Sequence, residues 1–323
     1  MCGAQMQSRN SQAENLKPHE RKINMRALLS AVVLSTVATL VSAQDSTIET
    51  ARGAVTFAAA PQKTVVLDLA ILDIFDRLEI PVAGVTSGVK PEYLSGYADA
   101  AYAQLGSAFE PDIEKLNALS ADLVIVAGRS STKFDAFSGI AQTIDLTSDS
   151  TNLFGSLTRN MTELGKLFDK EEQAATTLAA LNDRFAAVHE KAAEAGKALV
   201  IITTGGRMST HGAQGRFATI FNEMGFTPAV AEVKAGNHGQ PISNEFILET
   251  NPDWIFVVDR DAAIGRDGQP ARQMLDNPLV HKTTAWKEDH VVFLDPADWY
   301  LVGAAGPTAL DRALTQISTA LED

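Results

Sequence analysis

Blocks of apolar residues alternate along the chain with stretches of helical period. Lys63 to Asp68 (KTVVLD) is apolar at its centre, and Leu69 to Leu78 sets Leu72, Phe75 and Leu78 on one helical face. Pro81 to Val85 is a second short apolar run. The later part of the chain opens alike, with Ala198 to Thr203, a glycine turn and a helix around Phe217 to Met224. Strands that are apolar at most positions and alternate with helices predict parallel sheets covered on both faces, hence an α/β fold.

One stretch echoes another. Glu114 to Arg129 reads EKLNALSADLVIVAGR and Glu245 to Arg260 reads EFILETNPDWIFVVDR; a shift of 131 positions superposes Glu114 on Glu245, Asp122 on Asp253, Val126 on Val257 and Arg129 on Arg260. Each copy reads as a short helix, a turn, a buried strand and then an arginine, which predicts two lobes with an arginine at the mouth of each. DIFDRLEIPVAGV and TIFNEMGFTPAVA also resemble each other, at an offset that leaves the first half about fifteen residues longer around Tyr93, Tyr97 and Tyr102. Between the halves, Lys170 to Ala195 has helix-forming composition, with Leu178, Leu181, Phe185 and Val188 at helical spacing. Such a connector is stiff, unlike a Gly/Ser linker. The expected organisation is residues 1–43 as an N-terminal extension and signal peptide, 44–169 as a first lobe, 170–196 as a linking helix and 197–323 as a second lobe.

Ligands of parallel sheets bind beyond the carboxyl ends of the strands. Arg129 follows VIVAG, Arg260 follows IFVVD and Arg207 follows VIITTGG, so three arginines are expected at strand ends.

Export changes the charge picture. Met25-Arg26 is followed by ALLSAVVLSTVATLV and then Ser42-Ala43-Gln44, the pattern of a signal peptide cleaved after Ala43, with Met25 as an alternative translation start. The only cysteine is Cys2, so there is none at the cleavage point for a lipid anchor, and the mature protein is expected to be soluble and without disulfides. The first 43 residues hold five of the 27 basic and two of the 40 acidic residues, leaving 22 basic against 38 acidic. Nucleic acid is therefore excluded as a partner. In so acidic a chain an anion can be held only by a local cluster of cations, although any single arginine can also simply pair with a neighbouring carboxylate.

No metalloprotease, nucleophile-elbow or phosphate-loop signature is present. Ser130-Ser131-Thr132-Lys133 matches the Ser-x-x-Lys of penicillin-recognising hydrolases, but the companion Ser-Asp-Asn and Lys-Thr-Gly elements are missing. Among the histidines, His189, His281 and His290 read as solvated, and His211 follows Arg207 closely with its role open. His238 lies in the glycine-flanked loop Ala235-Gly236-Asn237-His238-Gly239-Gln240-Pro241 with no apolar face to bury it. Tyr300, in LDPADWYL before Gly303 and Gly306, reads either as packing or as a ligand. A phenolate suits Fe(III), and imidazole is also an acceptable iron ligand.

GNHGQPISNEFILETNPDWIFVVDR, the arginines Arg129 and Arg207, and DWYLVG around Tyr300 together resemble the periplasmic ferric-siderophore-binding proteins of the FatB and CeuE type, the substrate-binding components of ABC iron importers. The resemblance runs from about Pro61 to the end of the chain. It implies two Rossmann-like lobes joined by one long helix, the class III periplasmic binding protein architecture, with a ferric catecholate siderophore held between them as transported ligand. It implies no intrinsic cofactor and no enzyme activity. Carried onto this chain, Arg129, Arg207 and Arg260 form a cationic floor, and His238 and Tyr300 reach the iron when a tetradentate ligand leaves two positions open. Glu114 and Glu245 dock onto the permease in the inner membrane, and the protein acts in the periplasm as a monomer. The alternatives are a haem, corrinoid or metal-ion binding protein of the same fold and, further off, a serine hydrolase using Ser130 and Lys133.

Overall fold

A computed structural model describes residues 45–233 and 239–322. The expected signal peptide, its cleavage after Ala43, the start at Met25 and Cys2 lie outside the described residues, as does His238.

The described chain opens with an antiparallel hairpin, β1 (Ser46–Thr50) and β2 (Gly53–Phe57). It then runs through β3 (Thr64–Val66), β4 (Gly84–Val85), β5 (Ala103–Gln104), β6 (Leu123–Val126) and β7 (Gln142–Asp145). These pair in parallel in the order β5-β4-β3-β6-β7. Chain direction across the sheet reverses between β3 and β6, the crevice where open α/β sheets take their ligands. The residues past those two strand ends are Leu67-Asp68 and Ala127-Gly128-Arg129.

The second sheet has six strands: β8 (Lys197–Thr204), β9 (Arg207–His211), β10 (Thr227–Pro228), β11 (Gln240–Ile242), β12 (Trp254–Asp259) and β13 (Val291–Leu294). Its parallel part is β10-β8-β12-β13. The expectation of parallel strands is corrected at one edge, where β9 pairs antiparallel with β8 and β11 antiparallel with β9. The cause is Gly205-Gly206, which takes positive φ at both positions (55° and 72°) and folds the chain straight back in a two-residue turn. Two other runs are shorter than the pattern suggests: Pro81 to Val85 contributes only Gly84–Val85 to a strand, and Phe217 to Met224 only Thr219–Asn222 to a helix.

The sequence echo is a structural one. In the first copy Asp112 caps the helix Ile113–Leu119 by accepting from Lys115 N–H, and Ser120 ends it in the left-handed region (φ 51°). In the second, Ser243 caps Asn244–Thr250 by accepting from Phe246 N–H, and Asn251 ends it likewise (φ 41°). The next matched pair, Asp122 and Asp253, ties each copy to the first strand of its own sheet. Asp122 accepts from Gln62 and Lys63 N–H at 2.9 and 2.8 Å, and Asp253 accepts from Lys197 N–H at 2.7 Å. Cap, left-handed stop and carboxylate clamp deliver β6 and β12 in the same orientation, with Arg129 and Arg260 at their exits.

The linking helix is Glu171–Ala192; its 22 residues extend about 33 Å at ~1.5 Å per residue. It buries Ala174, Thr177, Leu181, Phe185, Val188 and Ala192 along one face, packed against the helices Leu153–Leu167 and Pro307–Ala320. Leu178 is only partly buried. The C-terminal helix Pro307–Ala320 is in turn held by the first half of the chain: the buried Asp73 carboxylate, on the helix Leu69–Arg77, accepts from Thr308 N–H at 3.1 Å and Ala309 N–H at 2.9 Å. Gly306 is required there, because a Cβ would stand 2.3 Å from the Asp73 carboxylate.

Candidate functional site

Tyr300 sits in a π-helical turn, Ala297–Leu301, between β13 and the C-terminal helix. Such turns widen the helix locally and are common where a side chain must be aimed. Three arginines from three other segments converge on it. Arg260 Nε donates to the phenolic oxygen at 2.7 Å, while its Nη1 donates to the Thr204 hydroxyl at 3.0 Å. Arg216 lies over the ring with its guanidinium carbon 4.1 Å from the centroid, and its Nη2 donates to the Tyr300 carbonyl. Arg129 comes from the first sheet, 5.5 Å from the same ring, with Nη2 donating to the same carbonyl at 3.5 Å.

The electrostatics follow from crowding three cations around one phenol. Burial alone would raise the Tyr300 pKa. The Arg260 hydrogen bond and the charges of Arg216, Arg260 and Arg129 together outweigh it, so the phenol is held below its ordinary value. Arg216 moves the other way for its type: burial, then repulsion from Arg129, bring it down to about 10, the phenol only partly offsetting them. Its Nε is buried and has no hydrogen-bond partner among the described residues. A buried, unpartnered guanidinium N–H between two further arginines is an electropositive point that an anion would satisfy.

A cavity of about 640 Å³ is lined by two of these arginines, Arg129 and Arg216. Its lining comes from both halves of the chain: Asp68, Ala127, Gly128 and Arg129 from the switch point of the first sheet, Gln214 to Arg216 from the loop after β9, and Leu301 to Gly303 beyond Tyr300. The volume is that of a small-molecule site. Asp68 caps the helix Leu69–Arg77 through Ala70 and Ile71 N–H at 2.8 and 3.3 Å. Burial pushes its carboxyl up despite those bonds and despite Arg129 nearby.

Arg129, Arg260 and Tyr300 are thus brought together as the sequence suggested, and Arg207 is not. Arg207 is exposed and opens β9 opposite Thr204. It occupies the same end of the sheet as Arg260 but does not join the contacts to Tyr300 found among the described residues. The glycine turn makes it a strand residue, and the chain returns to the cleft only after β9, with Arg216. The sequence held one signal for Arg216, the flexible HGAQG directly before it and the apolar FATIF directly after it, where a helix start faces a loop.

Glu114 and Glu245 are exposed at equivalent places in the first turns of the two matched helices. Glu245 is held below the usual carboxylate range by the Ser243 side chain. His211 is buried at the end of β9 and meets Phe217 edge-on at 5.3 Å. His290 stacks on Trp254 at 3.9 Å, so it is a packing residue rather than a freely solvated one. Ser130 is fully buried, and its hydroxyl donates to Ala127 C=O at 3.0 Å and accepts from Ala127 N–H at 3.1 Å. It is spent on its own turn, and the hydrolase alternative has no exposed nucleophile there. Among the described residues no cluster of three His, Cys, Asp or Glu could hold a bare metal ion, and no helix is long and apolar enough to cross a membrane.

Two sheet-and-helix lobes whose arginines meet at Tyr300, with Arg129 and Arg216 lining a cavity shared by both halves of the chain, define a cleft-type ligand-binding protein. Residues 64–297 match the periplasmic binding protein family, Peripla_BP_2, and the chain belongs to it. It is a substrate-binding protein rather than an enzyme. It is 38% identical over 265 residues to the petrobactin-binding protein YclQ of Bacillus subtilis, spanning 81% of this chain and 83% of that one. It is 33% identical over 253 residues to the ferric-anguibactin-binding protein FatB of Vibrio anguillarum, spanning 76% and 78%. The crystal structure of YclQ superposes with a TM-score of 0.82, covering 87% of this chain and 99% of that one at 35% identity. The periplasmic catecholate-siderophore-binding protein VctP of Vibrio cholerae superposes with a TM-score of 0.81 at 30% identity, covering 85% and 100%.

Proposed function

We propose that this protein captures a ferric catecholate siderophore in the periplasm and delivers it to an ABC importer in the inner membrane. The observation that carries the reading is the buried, unpartnered Nε of Arg216 beside Arg129 and Arg260 around Tyr300. The relatives named for ferric or siderophore ligands support it. A ferric complex of catecholates carries net negative charge on oxygens spread over its surface. Guanidinium forks remain charged at every physiological pH and address two such oxygens at once.

In this reading the cationic floor is Arg129, Arg216 and Arg260, with Arg216 in the role first given to Arg207. The phenol of Tyr300, already biased toward phenolate, takes one open position on the iron of a tetradentate ligand and His238 the other. The protein has no cofactor of its own; the iron is cargo. It acts as a soluble monomer after removal of residues 1–43, and Glu114 and Glu245 meet basic side chains of the permease, one from each lobe.

Titrating purified protein with a ferric bis-catecholate at micromolar concentration tests the reading through tryptophan emission. Quenching with saturable 1:1 stoichiometry is expected, and absence of any binding would sink the assignment.

A further inference from the structure

Phe109 is 63% exposed and stands beside the cluster rather than in a core. Exposure of a single aromatic means little alone. Its neighbour gives it meaning: the Arg129 guanidinium carbon lies 6.0 Å from the Phe109 centroid and 5.5 Å from the Tyr300 centroid, so the same cation is within reach of both rings.

The loop that presents Phe109 is tightly built. Ser107 N–H donates to Glu110 C=O at 3.1 Å, and Glu110 N–H to the Ser107 hydroxyl at 3.0 Å. Gly106, at φ 76°, donates its N–H to the Ser87 hydroxyl at 3.1 Å and accepts from Ser87 N–H at 2.7 Å. A Cβ at Gly106 would lie 2.5 Å from the Glu110 carbonyl oxygen, so the turn closes only around glycine. The tip residues Ser107, Ala108, Phe109 and Glu110 contain one bulky apolar group, and the bonds beneath fix the loop that carries it.

We propose that Phe109 is a ligand contact at the rim of the cleft, against which an aromatic ring of the bound chelator packs. The proposal rests on the siderophore reading above and narrows it. In a catecholate the oxygens are bonded directly to ring carbons, so whichever oxygen Arg129 holds brings a ring with it. An aliphatic hydroxycarboxylate or hydroxamate brings none. Offset or edge contact between that ring and Phe109 then favours aromatic chelators over aliphatic ones of equal charge.

The test uses purified wild type, Phe109→Ala and Phe109→Leu with the ferric and gallium(III) complexes of a bis-catecholamide. The Phe109→Ala protein is expected to bind the ferric complex about fivefold more weakly, with Phe109→Leu between. With diamagnetic gallium, through-space proton contacts are expected between the Phe109 ring and the catechol ring, which a merely structural role would not produce. Wild-type binding with no such contact and no change in Phe109→Ala overturns the rim contact alone. Loss of import with unchanged affinity overturns it in favour of a contact to the permease. Wild type that does not bind the complex overturns this proposal together with the functional reading beneath it.

Discussion

Arg260 Nε donates to the Tyr300 hydroxyl at 2.7 Å, which joins the exit of β12 in the second sheet to the π-helical turn. The bond favours phenolate, since the donor is a permanent cation. In an absorbance titration Tyr300 should therefore ionise below the ordinary tyrosine range, whereas burial and the Asp73 and Asp76 carboxylates drive Tyr93 and Tyr97 upward. Arg260→Met should return the early phase to higher pH. Tyr300→Phe should abolish it, and should also remove phenolate-to-iron absorption from the bound ferric complex.

Arg216→Met should separate binding from stability. Losing a charge-assisted contact of about 2 kcal/mol lowers ligand affinity roughly 30-fold. Without ligand the same change should raise the melting temperature, because a base whose folded pKa is depressed, here to about 10, destabilises the fold wherever it is charged. That penalty is complete at neutral pH and is relieved only as the pH rises through about 10. Arg207→Met, outside the cluster, should leave affinity within about twofold.

Asp73 predicts an acid-side effect. Burial raises its carboxyl to about 6, above its unfolded value. The native state therefore binds the extra proton, and this group's contribution to stability is greatest at the acid end of the window and is lost as the pH rises from about 4 through about 6. Asp73→Asn should flatten this part of the stability–pH curve by up to about 3 kcal/mol, measured by urea unfolding between those limits. Asp73→Ala, which removes the acceptor for Thr308 and Ala309 N–H, should instead cost about 1–2 kcal/mol by uncapping the C-terminal helix.

Glu114→Ala and Glu245→Ala should leave ligand affinity unchanged, both carboxylates being exposed on the first turn of their helices. Stimulation of the transporter's ATPase should fall in each and further in the pair. Full stimulation by the double variant would remove both from the docking surface.

Much of the fold was legible because its signals are local. The repeat could be found because one construction problem, delivering a buried strand with its exit toward the cleft, is solved twice with the same parts: a cap at Asp112 or Ser243, a carboxylate clamp at Asp122 or Asp253, and an arginine at the exit. Apolar runs gave β3, β6, β8 and β12, since strands buried on both faces need such runs. The antiparallel edge was missed although Gly205-Gly206 is itself a turn signal. Whether the chain after such a turn enters a helix or doubles back depends on which sheet edge is free, and that is a property of the assembled sheet.

The same distinction governs the site. By itself the sequence determined that strand-end arginines lie in an acidic chain and that Tyr300 follows a strand and a proline turn, because chemistry and periodicity are carried by neighbouring residues. Only the tertiary structure decided which cations meet. Arg129, Arg216, Arg260 and Tyr300 are up to 171 positions apart in the chain, and the arginines converge on Tyr300 from the exit of β6, the loop after β9 and the exit of β12. A difference of nine positions put Arg216 over the Tyr300 ring and left Arg207 at an exposed hairpin turn, because the intervening antiparallel strand carried the chain away and the loop after it brought it back.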